Sequence, residues 1–211
     1  MPSLPATFAE DVINQPARAQ FEAFLDEHRD GLNRCLDGLT EEQARQSLVP
    51  SRTTLLGLVK HATFVEKVWF DEAVTGRSRA EIGIPATSDE SFILHDDDTI
   101  ASAQQAHREA CESSRRAASS LGLDDRVYGY WRGPLPLRWV YLHVLRELAQ
   151  HCGHADILRE QILNGSLDLG YGAVAAADRP QPISTAGARC SLGLAPPGSG
   201  RCGRWCPGRI G

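Results

Sequence analysis

The chain has 211 residues, a formal net charge of −5 and an apolar fraction that is ordinary for a globular protein, and its acidic excess argues against nucleic acid as a partner. The N-terminus lacks the basic and apolar regions of a secretion signal, and nowhere do about 18 apolar residues follow one another, so we expect a cytoplasmic protein with no membrane partner. Three of the six cysteines, Cys35, Cys111 and Cys152, lie singly inside helical patterns, and the other three lie after residue 165. This pattern favours free thiols in a reducing compartment.

The first half of the chain predicts two long helices with a short one between them. Apolar residues recur at helical spacing over residues 16–39, which predicts the first helix. Thr40 and Gln43 have the spacing of a capping box, so a short helical turn is expected there. A second helix is predicted to begin at Thr53 or Thr54 and to run to residue 76.

The second half predicts two more helices after a long connection. Residues 77–98 contain glycine, proline and an acidic run, and so long a crossover favours parallel or non-adjacent neighbouring helices. Thr99 can cap a third helix with a face of small residues, which ends near Gly122. A fourth helix is predicted over about residues 137–163, stopping at Gly165. No stretch shows the period-2 alternation of a sheet.

The composition changes after residue 165. Nine of the nineteen glycines and five of the twelve prolines fall in residues 166–211, where no periodic apolar face is found. We therefore predict an all-α four-helix bundle over residues 16–165, with a long crossover, followed by a disordered tail rich in glycine, proline and arginine.

The apolar stripe of the predicted fourth helix carries ionisable residues. Glu147 and His151 lie one turn apart, with His154 close beside them and His143 a weaker candidate. Burying such groups costs several kcal/mol unless each is compensated, and one cation would compensate them together. The spacing of four residues also lets two side chains converge on one ion.

His61 is the best candidate for a third ligand. It lies midway along the predicted second helix among apolar residues, and bundle metal sites take their ligands from facing helices. The ordinary alternative is a surface or hydrogen-bonded core histidine, with Glu147 paired to Arg146 or Lys60. The spacing alone leaves both interpretations open.

Two blocks of the sequence, RTTLLGLVKHATFVEKVWF and LRWVYLHVLRELAQHCGHADILREQI, resemble the DinB-like family of metal-binding four-helix bundles. The similarity covers about residues 16–165 and is greatest to the branch of unassigned function that includes the actinobacterial mini-circle proteins. In that family one histidine of the second helix and two residues of the fourth bind a divalent metal, and His61, Glu147 and His151 stand at those positions. Many members have histidine where this chain has Glu147, whereas the thiol-dependent maleylpyruvate isomerases, which it also resembles, have glutamate.

The resemblance implies a divalent-metal-dependent S-transferase or isomerase that uses a low-molecular-weight thiol, such as mycothiol or bacillithiol, together with an electrophile. Zinc is the first expectation for the metal, with nickel, iron and manganese as alternatives. His154 falls where many relatives have glutamine, and its expected role is to orient water or carry a proton, the alternative being an ordinary polar helix residue. Relatives often form homodimers. The competing class is a non-catalytic metal-binding stress or interaction protein, and a degenerate copy is a third alternative.

Two further segments carry weaker predictions. Trp131, Arg132 and Arg138 precede the fourth helix and are candidates for the mouth of the site, the alternative being an exposed loop beside a packed Trp139. The three adjacent acids at residues 96–98 are predicted to be solvated at the start of the third helix, near the positive end of its dipole.

Overall fold

The computed structural model describes the backbone of residues 8–171 and the side chains of residues 9–165. Its α-helices are α1 (Phe8–Asp11), α2 (Ala17–Arg34), α3 (Glu41–Arg45), α4 (Leu55–Glu66), α5 (Ala73–Thr75), α6 (Arg79–Ile82), α7 (Ile100–Ala118) and α8 (Leu137–Tyr171). A π-helical segment, Lys67–Glu72, joins α4 to α5, and a 3₁₀ turn, Glu90–Phe92, lies in the crossover before α7. Two short strands, β1 (Arg126–Val127) and β2 (Leu135–Pro136), pair antiparallel.

Threonine side chains begin three of these helices, as the sequence predicts. The Thr40 hydroxyl accepts from the Gln43 backbone N–H, and the Gln43 side-chain oxygen accepts from the Thr40 backbone N–H. The Thr54 hydroxyl accepts from the Gly57 N–H at 3.0 Å, and Thr99 caps α7 in the same way. These bonds satisfy backbone groups that a helix leaves unpaired in its first turn.

The long helices pack as a bundle around α4. This helix is apolar on nearly every side, so it is the central one: α7 and α8 pack against it, the 3₁₀ turn covers another side, and α2 packs mainly on α8. Leu55, Leu58 and Val59 are completely buried. The predicted all-α bundle with a long crossover is confirmed.

Three boundaries differ from the prediction. The first helix ends at Arg34 because the chain turns through Gly38, whose φ is 74°. The second predicted helix does end at Gly76 with φ of 73°, but a π-helical segment interrupts it. The stop predicted at Gly165 is wrong, since this glycine is not in the left-handed conformation and α8 runs on to Tyr171.

The expectation of no sheet is also corrected, by the ribbon that β1 and β2 form. Strands of two residues are too short to show alternation, so the pattern could not reveal them. The disorder predicted after residue 165 is wrong for residues 166–171, whose backbone continues α8, and the rest of the predicted tail lies outside the described residues. Three of the cysteines also lie outside them, whereas Cys35, Cys111 and Cys152 are free thiols. Within residues 8–171 no helix has both the length and the apolar character needed to cross a membrane.

Candidate metal centre

The structure brings together three residues that are far apart in the sequence. His61 comes from α4, and Glu147 and His151 come from adjacent turns of α8, which packs against α4. One ligand-type atom of each residue lies within 4.8 Å of the corresponding atoms of the other two. Histidine nitrogens and a carboxylate oxygen are the donors that zinc and related divalent ions take in proteins.

A hydrogen-bonded relay fixes the orientation of His61. Its Nδ1 lies 2.7 Å from the Ser91 Oγ, and that hydroxyl donates to the Ser88 carbonyl oxygen at 2.5 Å. Because the hydroxyl hydrogen is committed to Ser88, Ser91 accepts from His61, so Nδ1 carries the imidazole proton and Nε2 keeps its lone pair. The Phe92 ring stacks on the imidazole with centroids 4.2 Å apart.

The buried ring of His151 lacks hydrogen-bond partners among the described residues around it. Both of its ring nitrogens are buried without a hydrogen-bond partner in the described part of the chain. Burial lowers the pKa of His151, and burial together with His151 lowers the pKa of His61 to about 3. Both imidazoles are therefore neutral near pH 7, which is the state that binds a metal. A divalent cation fits these residues because it would give the lone-pair nitrogen of His151 a partner.

Arg146 contacts one of the two carboxylate oxygens of Glu147. The exposed Arg146 donates from Nη2 to the Glu147 Oε1 at 3.1 Å, while Oε2 lies 3.8 Å from the His151 Nε2. The alternative pairing with Lys60 is wrong, because Lys60 Nζ lies 2.6 Å from the Asp98 carboxylate. For the same reason the third acid of residues 96–98 is an ion-pair partner and not a solvated group.

His143 is buried beside the converging residues, which the sequence did not indicate. Its ring is buried, stacks on Trp139 with centroids 4.9 Å apart and contacts Trp69 at 4.1 Å. Its Nε2 lies 3.7 Å from the Glu147 Oε1 and has no hydrogen-bond partner among the described residues. Burial lowers the pKa of His143 to about 4.

His154 lies at the edge of the group. Its side chain is exposed, and its ring centroid is 5.7 Å from that of His151. It is not one of the three residues whose ligand atoms converge. Its expected part in proton transfer stays a prediction.

A narrow cleft with aromatic walls opens beside the converging residues. His61 and Glu147 line one part of it, and Trp69, Tyr130 and Trp131 line another. The interior space that the centre of a water-sized sphere can reach is about 50 Å³, and the cleft opens to solvent. The sequence singled out only Trp131 of the three aromatic residues.

The predicted arginines of the mouth lie elsewhere. Arg132 places its guanidinium over the Trp131 ring, 4.5 Å from the centroid, and Arg138 forms an ion pair with Asp124. Neither arginine lines the cleft. The prediction therefore holds for Trp131 and is wrong for the two arginines.

Gly129 holds the aromatic loop against the helix behind it. Its N–H donates to the Ala73 carbonyl at 2.9 Å. A Cβ at this position would lie 2.0 Å from the Glu72 carbonyl oxygen, so no other residue allows so close an approach. This contact sets the positions of the two aromatic residues that follow.

Comparison with known proteins adds one match. A family model described as "MST: Mycothiol-S-transferase" matches residues 20–164, the span that contains the bundle and the converging residues. A search of curated proteins finds no matching relative.

Proposed function

The chain belongs to the mycothiol-S-transferase family, and on that premise we propose that it is a divalent-metal-dependent transferase that joins a low-molecular-weight thiol, mycothiol in the first instance, to an electrophile. The observation that carries the proposal is the convergence of His61, Glu147 and His151, whose ligand-type atoms lie within 4.8 Å of one another. The buried, unpartnered nitrogens of His151 support a cation at this point.

In this proposal His61, Glu147 and His151 hold the ion, and three protein ligands leave a position open, as in catalytic metal sites. A bound divalent ion supplies positive charge that lowers the pKa of a thiol and keeps its sulfur as thiolate. Two neutral imidazoles and one carboxylate cancel only half of a divalent charge, so a net attraction for the thiolate remains. We propose zinc, with nickel, iron and manganese as alternatives.

Other residues position the proposed ligands and shield the site from water. Ser91 holds the His61 ring through Nδ1, which leaves the Nε2 lone pair for the ion, and the aromatic walls keep water from one side. His154, exposed beside His151, is proposed to pass the thiol proton to solvent. No side chain of the protein has to act as the nucleophile.

We also propose that the bundle domain extends over residues 16–165, that the protein is cytoplasmic and forms a homodimer, that it has no nucleic-acid partner, and that it belongs to the mini-circle branch. A small-thiol substrate supports the cytoplasmic location, since such thiols are kept reduced there.

The test is metal analysis together with a thiol-transfer assay on the full chain purified without an affinity tag. We expect close to one metal ion per chain and an accelerated reaction of mycothiol with a model electrophile. His151→Ala should lower that rate by about 100-fold or more, because the reactive form of the thiol is lost. His28→Ala, which removes a partly exposed histidine of α2 that is not among the converging residues, is the matched control and should keep the rate.

Two outcomes would count against the proposal. Full activity of His151→Ala would show that the three converging residues do not activate the thiol. One bound metal per chain without any thiol transfer would favour the competing class, a non-catalytic protein that uses an ion to hold two helices together.

A further inference from the structure

The walls of the cleft beside the converging residues are apolar and largely aromatic. Phe64, Val65 and Val68 come from α4 and the π-helical segment. Trp69 lies opposite Tyr130, with ring centroids 5.2 Å apart, and Tyr130 lies beside Trp131 at 5.9 Å. Aromatic rings arranged in this way offer faces and edges on which a planar group can stack.

Apart from Glu147, which belongs to the converging residues, the two charged groups of the wall are paired with each other. The Arg79 Nε lies 3.0 Å from the Glu72 Oε2, and the guanidinium lies over the Phe64 ring, 5.6 Å from its centroid. Arg79 also donates to the Ala86 carbonyl. A charged substrate group would have to break these contacts or lose its hydration without replacement.

The cleft leads to the position where the reaction would take place. His61 and Glu147 line it together with the aromatic residues, so a molecule held in the cleft lies next to the proposed metal site. Trp131 is 64% exposed and stands at the outer part, where it can cover a bound group. The contact of Gly129 with α5 fixes the loop that carries it.

We propose that this cleft receives the electrophile of the reaction and selects uncharged, planar aromatic electrophiles. The inference rests on the proposed function and names its second substrate class. The polyhydroxylated thiol is the poorer occupant, because the walls offer only a few unpaired hydrogen-bonding groups, the hydroxyls of Ser88 and Tyr130 and the Nε2 of His143.

The reaction can be written with α-bromoketones, in each of which the thiol attacks the bromomethyl carbon. The thiol sulfur forms a bond to the bromomethyl carbon, the carbon–bromine bond breaks, and bromide leaves with the bonding electron pair. The thiol proton passes to the buffer. No oxidant or reductant takes part. 2-Bromoacetophenone, bromoacetone and 4-(bromoacetyl)benzoate share this bond change and leaving group, and they differ in the group that the cleft has to accommodate.

The experiment compares kcat/KM for the three bromoketones on the zinc-loaded full chain with mycothiol. Each value is divided by the uncatalysed rate constant for the same bromoketone, which removes differences in intrinsic reactivity. We expect 2-bromoacetophenone to be preferred over bromoacetone by about tenfold or more, and the charged benzoate to be disfavoured against 2-bromoacetophenone. Preference for the benzoate would overturn the claim that the electrophile is uncharged.

Two variants of the same loop sharpen the test. Trp131→Ala should lower the ratio of aromatic to aliphatic turnover by about two- to tenfold, the range expected for the loss of one aromatic contact. Trp131→Phe should restore most of the ratio. Tyr128→Ala removes a ring that is 74% exposed and does not line the cleft, so it should leave the ratio unchanged.

The failure of this inference differs from the failure of the proposed function. If thiol transfer depends on His151 but shows no aromatic preference, or if Trp131→Ala keeps the full preference, the cleft does not select the electrophile and only this inference falls. If no bromoketone reacts faster than without the protein, both fall.

Discussion

Helix α4 contributes to two buried polar clusters that differ in one respect. At His61 the polar groups converge, but the nitrogens of the neighbouring His151 have no partner among the described residues. At Glu66, which ends the same helix, the charge has close partners on two other helices. The comparison separates buried polar groups that have protein partners from buried polar groups that have none among the described residues.

The cluster at Glu66 is satisfied within the protein. The Arg29 Nε and Nη2 each lie 2.8 Å from one oxygen of the Glu66 carboxylate, and the Ser114 hydroxyl adds a bond from α7. Arg29 also reaches Asp26 at 2.9 Å. Burial opposes the ionisation of Glu66, but Arg29 outweighs it and holds the pKa of Glu66 below its usual value.

The difference has a thermodynamic meaning. A buried ion pair with bidentate hydrogen bonds tolerates burial because each charge compensates the other, whereas buried nitrogens without partners cost free energy until something binds them. We infer that the Glu66 cluster serves the fold and the His151 cluster serves a ligand.

Breaking the satisfied cluster should have the largest effect on stability. Arg29→Met leaves the fully buried Glu66 carboxylate without its main partner, and we expect the free energy of unfolding to fall by about 3–5 kcal/mol. The double variant with Glu66→Leu removes both charges and should recover most of the loss. Urea unfolding followed by circular dichroism measures each value.

The control is the exposed ion pair of Arg77 and Asp71, 3.1 Å apart. Arg77→Met should cost at most about 1 kcal/mol, because solvent screens such pairs. If Arg29→Met cost no more than Arg77→Met, the Glu66 cluster would not be the structural one, and the division between the two clusters would lose its basis.

The second prediction concerns His107, which lies next to the satisfied cluster. Its Nδ1 accepts from the Asn33 side-chain amide at 3.2 Å, so its proton is on Nε2, which faces the Cys111 Sγ at 3.6 Å. Burial lowers the pKa of His107 to about 4, from the 6.5 of an unburied histidine. The imidazole is therefore held in its neutral form.

The sign of the pH effect follows from proton uptake. Below pH 6.5 the unfolded chain binds a proton at residue 107 that the folded chain does not, so stability falls as the pH drops from 6.5 to about 4. For metal-free protein the loss from this group is up to about 3 kcal/mol. His107→Gln should show a correspondingly shallower decline of the unfolding free energy over this range. An unchanged slope would mean that His107 is solvated.

The sequence predicts the satisfied and the unsatisfied cluster to different degrees. Glu147 and His151 share a helix, so their spacing alone placed them together, and His61 followed from the apolar residues around it. The partners of Glu66 could not be predicted this way, because Arg29 and Ser114 lie on helices whose rotation relative to α4 is set by packing.

Other parts of the site gave no readable signal. Ser91 lies in a connection rich in serine and acidic residues, where nothing marks one hydroxyl as the partner of a distant histidine. The π-helical segment that carries Trp69 keeps the composition of an ordinary helix, so the pattern predicted a continuous one. Periodicity thus predicts which faces meet, and it does not predict how loops complete them.

The smallest expected effect concerns the hydrogen bond by which Ser91 orients His61, the proposed metal ligand. Ser91→Ala removes the acceptor of the His61 Nδ1 proton, and we expect zinc affinity to fall by about 10- to 100-fold because the ring is no longer held in one orientation and tautomer. Competition with a chromophoric chelator measures the affinity, and Ser91→Thr, which keeps a hydroxyl, should recover part of it.

The matched control is Ser114→Ala, which removes a buried hydroxyl from the satisfied cluster. That variant should lower the unfolding free energy and leave zinc affinity unchanged, because its hydroxyl serves a pair that is already complete. If both serine variants weakened zinc binding equally, the two clusters would be one coupled network, and the orientation of His61 would depend on the packing of the whole helix instead of on Ser91.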